Sequence, residues 1–399
     1  MLISLGLIPQ ESVNILNTGV PISYIVMLLF LLIAVPLLFY KNKNRESTRV
    51  YILFSAILAW ALISSIYSDY IIGYEYILYP ILVAWLCLTL SFLYSKVVSF
   101  KNINVEKLIT RLAYLLTGIF VLYAIWFSFN FSFSYTERLK GPLGNAATIH
   151  LIMLPVLAIH LGNVFMKKRK FIPISASIIT FLTIIMTGSR TALICLVLLI
   201  FLLLFERISI KKTIIIGLIS IFCYLIILNV VSTDRYQSFE DAARQTNLET
   251  SLEISTQSSK TLIFGTGYGT IWPWYYYENS EVNPLSGSNM INTLHGRALY
   301  HPHSLLLGVL TELGLIALIP LLVILLIMVK SFLKSRKTNT WLKKFLLIGL
   351  ISSLPSFLVD LYLIKNWNVS IVWWLFLFIA LSIPNNRDEQ EVLKKRSTN

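Results

Sequence analysis

Two histidines and a handful of arginines are the side chains best suited to chemistry in a chain that is otherwise apolar. His301 and His303 occur in Tyr300-His301-Pro302-His303-Ser304, where a polar stretch gives way to an apolar run. Histidine changes charge near neutral pH, so either ring is suited to take a proton from a hydroxyl. Two other readings stand beside that one. A histidine at a helix end can serve as a polar cap, and two histidines flanking a proline can form a metal pair, although no carboxylate or thiolate lies at a suitable spacing. Glu312 follows His303 by nine residues, about 13 Å deeper along a continuous helix. A hydrogen bond between packed helices is the role expected for it there.

Arg190 lies in Met186-Thr187-Gly188-Ser189-Arg190-Thr191-Ala192, between two apolar runs with almost no loop. An arginine at the edge of hydrocarbon is expensive and therefore reads as a functional residue, with snorkelling to headgroup phosphates as the structural alternative. Its planar fork is suited to clamp phosphate. Gly265-Thr266-Gly267-Tyr268-Gly269 forms a cluster whose glycines permit positive φ and close backbone approach. Trp272, Trp274, Tyr275, Tyr276 and Tyr277 follow. Such a density of aromatics suits a membrane-interface belt, the favoured reading, or a platform for sugar rings.

The elements that must position these residues are membrane-spanning helices. Of 399 residues, 56% are hydrophobic and 13% charged, and the mean hydropathy is +0.75, which excludes a soluble core protein. Apolar runs long enough to cross hydrocarbon occur at 21–40, 50–67, 76–95, 112–133, 146–165, 171–187, 191–205, 213–231, 304–329, 345–363 and 369–384. The expected fold is all-α and polytopic, with about eleven spans (ten to twelve).

The net charge of +14 would suit nucleic acid only if the basic residues shared one folded surface. They alternate with the helices instead: Lys41 to Arg49, Lys96 to Arg111, Lys167 to Lys170, Arg207 to Lys212, Lys330 to Lys344 and Arg387 to Arg396. By the positive-inside rule these connections are cytoplasmic. The basic residues left for the other face are Arg138, Lys140, Arg190, Arg235, Arg244, Lys260, Arg297 and Lys365. Positive charge is selected against there, so these few mark candidate anion contacts, with Lys140 and Lys365 assigned to headgroups or solubility.

Residues 232–303 form one long connection between spans, far beyond an ordinary linker and therefore expected to be a folded subdomain. The chain then divides into N-terminal spans (1–231), the large loop (232–303), and C-terminal spans with a cytoplasmic tail (304–399). Within the loop, Phe239 to Ile254 carries Ala242, Leu248 and Leu252 among polar residues, as a helix lying at an interface would. No basic region precedes the first apolar run, so a cleavable signal peptide is not expected, and residues 2–16 suit an interfacial helix or a short extra span. Cys87, Cys195 and Cys223 fall inside the apolar runs and read as small buried hydrophobes.

In four segments the chain resembles the bacterial O-antigen ligases and Wzy-type repeat-unit polymerases. Arg138-Leu139-Lys140-Gly141-Pro142-Leu143-Gly144-Asn145 is similar to an outer-loop segment of that family, and Thr187 to Ala192 to its arginine motif. Thr261 to Gly269 resembles its glycine turn, and His303 to Gly314, with Leu307 and Glu312 in register, its histidine motif. Ser304 stands where the family usually has Asn, and Ala146 replaces a common proline-asparagine continuation.

The resemblance implies a GT-C-like multi-pass glycosyltransferase of the bacterial cytoplasmic membrane, with its site facing outward. It would use a polyprenyl-pyrophosphate-linked glycan as donor and a sugar hydroxyl as acceptor, with no metal, nucleotide sugar or other cofactor. His303 and Arg190 would be catalytic. Arg138, Arg244, Arg235, Arg297, His301, Gly265, Gly267 and Tyr268 would bind pyrophosphate or glycan. A repeat-unit polymerase for O-antigen, capsule or exopolysaccharide is favoured over a ligase to lipid A-core, and a lipid-linked sugar flippase is a distant third. Other polysaccharide-assembly membrane proteins are conceivable partners; nucleic acid is not.

The charge pattern makes a topological prediction. In a background without the native cysteines, Ser280→Cys should react with a membrane-impermeant thiol reagent on intact cells. Labelling only after the cytoplasm is opened would invert the topology.

Overall fold

A computed structural model of the protein describes residues 12–15, 18–21, 29, 31–39, 45–66, 75–99, 103–130, 139, 148–166, 170–207, 242–272, 290–293, 296–299, 301–336, 340–359, 363–364 and 367–384. The main helices in chain order are α1 (Arg45–Ile66), α2 (Glu75–Ser95), α3 (Val105–Asn130), α4 (Ile149–Met166), α5 (Phe171–Met186) and α6 (Arg190–Arg207). In the large loop come α7 (Ala242–Thr256) and the short α8 (Ser259–Phe264). After it come a single turn α9 (Leu305–Gly308), a π-helical turn (Val309–Leu313), α10 (Leu315–Ser335), α11 (Trp341–Ser352) and α12 (Trp367–Ser382).

Among the described residues, six helices are long and apolar enough to cross a membrane: Arg45–Ile66, Pro80–Val98, Val105–Phe129, Ile149–Met166, Leu315–Ser335 and Trp341–Leu358. Phe171–Met186 and Val369–Ser382 are shorter apolar helices. This is an integral membrane protein. The expected span at 213–231 lies outside the described residues, as do 22–28, 30 and 40 of that at 21–40. The expectation of an all-α chain needs a small correction, because two antiparallel hairpins are present, Ser12–Ile15 with Thr18–Pro21 and Met290–Thr293 with Gly296–Leu299. The first lies where a helix was expected.

At the centre of the bundle, α4 is buried over almost its whole circumference and packs most closely on α11. Close approach there depends on missing side chains. A Cβ on Gly349 would sit 2.4 Å from Pro155 Cα, and one on Gly162 would meet the Trp341 ring at 2.8 Å. Small residues at helix crossings serve this purpose in membranes, where no hydrophobic force separates helix from lipid. The outer helices instead turn apolar side chains outward, among them Leu115, Leu122, Ile178, Leu182, Ile319 and Leu326.

The two ends of the bundle differ in chemistry. At one end Lys334 pairs with Glu46 at 3.5 Å, Arg336 and Lys344 converge on Glu206, and Lys343 donates to Ile383 O at 2.9 Å. Basic connections that alternate along the sequence therefore meet in space. At the opposite end the described part of the large loop is held against the bundle. Trp60 Nε1, near the end of α1, donates to Leu313 O at 3.0 Å, and Tyr268 N donates to Ser64 Oγ at 3.4 Å.

The span expected at 304–329 is not one helix. Gly314, at φ +71°, ends the π turn, and the membrane-crossing helix begins only at Leu315. A Cβ on Gly314 would lie 2.3 Å from Ile263 O, so the break is the place where the loop passes against the chain. The span expected at 345–363 likewise ends its α-helix at Ser352 and continues as a 3-10 segment, Leu354–Leu358.

Candidate functional site

The floor of the site is the segment 301–314. Ser304 opens α9: its hydroxyl accepts from Leu307 N at 3.3 Å and donates to Phe357 O at 3.3 Å, tying this turn to the segment after α11. The π turn that follows widens the helix and carries Thr311 and Glu312 into the interior. Single π turns are rare and are found often at functional sites.

The glycine turn rests on that floor. A capping box between Ser258 and Thr261 starts α8, and Gly265, at φ +77°, ends it. Thr266 N then donates to Thr311 O at 3.0 Å and Gly267 N to Glu312 O at 2.9 Å. A Cβ on Gly265 would fall 2.2 Å from Glu312 O, so only glycine admits this approach. The Glu312 carboxylate closes the turn, its Oε1 accepting from Trp272 N at 2.8 Å and Ile271 N at 3.2 Å. Burial pushes the Glu312 carboxyl up to about 8, against the lowering effect of the main-chain N–H donors from Trp272, Gly269 and Ile271.

Glu312 is therefore no partner in a helix–helix hydrogen bond, as sequence spacing suggested, but the clamp of the large loop. It also lies outside the span. Trp272, read from sequence with the interface belt, is 1% exposed and belongs to the packed interior of this turn.

The histidine loop is fixed from a third side by α7. Its Asn247, Ser251 and Ser255 form a buried polar stripe, while Leu248 and Leu252 on the adjoining face remain exposed, in keeping with an interfacial helix. Asn247 Nδ2 donates to His301 O at 2.9 Å. His301 is buried, and its Nδ1 accepts from His303 N at 2.9 Å. The two imidazoles lie 4.5 Å apart between centroids. His303 itself has φ +51°, a left-handed conformation that costs an L-residue on the order of 1 kcal/mol or more. Its half-buried side chain is reachable, unlike that of His301.

Arg190 is the first residue of α6 and is half-buried. The turn before it is tight: Gly188 has φ +57°, Ser189 Oγ accepts from Ala192 N at 3.3 Å, and Leu139 N donates to Met186 O at 3.3 Å. Leu139, the chain neighbour of Arg138 and Lys140, is thus seated on the arginine turn. A cation at a helix N-terminus opposes the macrodipole, and the combination of guanidinium and first-turn N–H groups favours an anion there.

A buried polar contact joins this helix to the histidine side. Cys195 Sγ lies 3.3 Å from Ser356 Oγ, which lies 2.6 Å from His150 Nε2; Phe357, next in the chain, accepts from Ser304. Cys195 is therefore part of a polar contact as well as a small buried side chain.

The structure thus brings Gly265, Gly267 and Tyr268 onto the Glu312 floor, ties His301 and His303 to the same floor through α7, and sets Arg190 at the head of a helix linked to the histidine side through Ser356. Arg244 is placed by backbone in the first turn of α7 and Arg297 in strand Gly296–Leu299, an element that packs on α7. Arg138 and Arg235 lie outside the described residues, as do Trp274 to Tyr277. Among the described residues no group of three or more His, Cys, Asp and Glu side chains gathers in a metal-binding arrangement.

Residues 175–322 match the family model described as O-antigen ligase. Over this stretch, somewhat more than a third of the chain, the protein is similar to that family. No curated protein matches the chain. The matched stretch takes in Arg190, the large loop, the histidine loop and Glu312; the Arg138 segment precedes it. Asn247 and Ser356 were missed in sequence, although the spacing of Asn247, Ser251 and Ser255 by four residues marked one face of a helix.

The clamp has a pH signature. Folded Glu312 keeps its proton up to about pH 8, whereas an unfolded glutamate loses it near 4.3. The folded state therefore holds the extra proton between those values, and docking of the turn weakens as pH rises through about 8. Amide exchange at Ile271 and Trp272 should accelerate from pH 6 to 9 beyond the intrinsic rate, and Glu312→Gln should remove the excess. An excess that persists in Glu312→Gln would assign it to another group.

Proposed function

We propose that the protein is a polysaccharide repeat-unit polymerase that transfers a glycan from a polyprenyl-pyrophosphate donor to an acceptor sugar hydroxyl at the outer face of the bacterial cytoplasmic membrane. The observation that carries this reading is the docking of the glycine turn on Glu312, with the histidine loop held to the same region by α7, at the end of the bundle opposite the basic connections and within the matched segment. By the positive-inside rule, the basic end is cytoplasmic.

In this reading Arg190 holds the pyrophosphate with its fork, assisted by the N–H groups of the first turn of α6. Arg138, Arg244, Arg235 and Arg297 are the further candidates for the same clamp. His303 takes the proton of the acceptor hydroxyl as its oxygen attacks the anomeric carbon. The bond from that carbon to the phosphate oxygen breaks as the new glycosidic bond forms, and the lipid leaves as its pyrophosphate. Charge developing on the leaving phosphate is met by the guanidinium, the kind of electrostatic contribution that is often largest in such reactions. Direct displacement inverts the anomeric carbon. Neither a metal ion nor a nucleotide sugar enters these steps.

A second reading, transfer of the same glycan to lipid A-core, is favoured by the description of the matched model. Donor chemistry is common to both, so acceptor choice separates them. Purified protein offered the lipid-linked repeat unit alone should lengthen the glycan, and a requirement for added lipid A-core would establish the ligase reading.

The catalytic assignments are tested in that assay. His303→Ala should lower the rate by about 10² to 10⁴-fold, and Arg190→Ala by about 10² to 10³-fold. Arg190→Lys should fail as well, because lysine supplies charge without the fork. Normal polymer from Arg190→Ala, in protein that inserts as wild type does, would leave the arginine as a snorkelling residue.

A further inference from the structure

We propose that His301 is a positioning residue that acts through the lone pair on its Nδ1, holding the main chain of His303 in the left-handed conformation from which the His303 ring meets the acceptor. The proposal rests on His303 being the general base.

His303 N donates to His301 Nδ1 at 2.9 Å, so Nδ1 carries no hydrogen and the neutral ring bears its proton on Nε2. His303 lies at φ +51° with a side chain, where glycine would be the easy choice. That conformation persists only if the surroundings over-determine it, and three contacts do so. Upstream, the carbonyl of His301 is fixed by Asn247 Nδ2 at 2.9 Å. Downstream, the Ser304 hydroxyl caps α9 and reaches Phe357 O. Between these anchors the bond from His303 N to the His301 ring sets the turn itself. The ring of His301 is 3% exposed while that of His303 is reachable, so the two histidines divide the work into holding and reacting. A left-handed residue directs its Cβ differently from an extended or helical one, and release of this bond would re-aim the His303 ring without removing it.

The same geometry gives a test that distinguishes a lone pair in a particular place from a merely buried side chain. Asn Oδ1 lies where imidazole Nδ1 does, whereas Gln Oε1 lies nearer the place of Nε2. Using the full-length protein and a lipid-pyrophosphate-linked repeat unit as probe, His301→Asn should keep kcat within about threefold of wild type, less than the loss of one hydrogen bond. His301→Gln and His301→Ala should lose about 10 to 100-fold in kcat, as expected when a reacting group is misplaced by about 1 Å. In place of the glycan-binding role that the resemblance implied for His301, this buried ring only positions His303, so KM for the donor should stay unchanged in all of them.

An Asn variant as poor as Gln and Ala, or a Gln variant as good as Asn, would overturn the proposal. Independently of any variant, the ¹⁵N shifts of the His301 ring in wild-type protein should report an unprotonated Nδ1, and a protonated Nδ1 would overturn it too. His303→Ala in the same series separates this inference from the reading beneath it: activity retained there removes the general base itself, whereas its loss beside equal Asn, Gln and Ala variants removes only the role of His301.

Discussion

A carboxyl group drawn into the interior of a membrane protein is tolerated only where polar groups meet it, and here the groups that meet Glu312 are main-chain N–H groups of the large loop. Ile271 and Trp272 donate to its side chain, while Gly267 donates to its carbonyl and Thr266 to that of Thr311. The loop is thereby docked chiefly through its backbone. Other features follow from this docking. The turn needs glycine at 265 because a Cβ would enter the Glu312 carbonyl, and the floor needs glycine at 314 because a Cβ would enter the Ile263 carbonyl. Between them the π turn exposes the carbonyls of Thr311 and Glu312 to the turn.

The histidine loop and the arginine turn are built by other means. Asn247 and Ser304 hold the first from two sides, and the tight connection between α5 and α6 holds the second. Arg190 stands at the end of a helix where its charge is least welcome, an arrangement that a bound phosphate would relieve. Through Cys195, Ser356, Phe357 and Ser304 the two parts share one region of packed interior. A site for a lipid pyrophosphate and a sugar hydroxyl needs both parts, one to hold negative charge and one to accept a proton.

The helices were legible in sequence because apolar length is what hydrocarbon demands, and the expected runs at 50–67, 76–95, 112–133, 146–165, 171–187, 191–205 and 369–384 fall on helices. The histidines, the glycine turn and Arg190 were legible as chemistry because their types are costly in such surroundings. What spacing could not give was the break at Gly314. A periodic reading carries Glu312 down into the span, whereas the chain turns at Gly314 under the pressure of a carbonyl from fifty residues upstream. The roles of Asn247 and Ser356 depend on contacts between distant segments, and a hairpin where a helix was expected near the N-terminus reflects how weakly short apolar stretches choose between the two.

The central claim is a direct displacement of lipid pyrophosphate from an anomeric carbon by a sugar hydroxyl. Its most direct measurement is the product of a single transfer: the stoichiometry of lipid release and the anomeric configuration of the new linkage, read by NMR against that of the donor. One polyprenyl pyrophosphate per new glycosidic bond, and inversion at that carbon, are the expected results. Retention of configuration, or glycan transfer without release of the pyrophosphate, would contradict it.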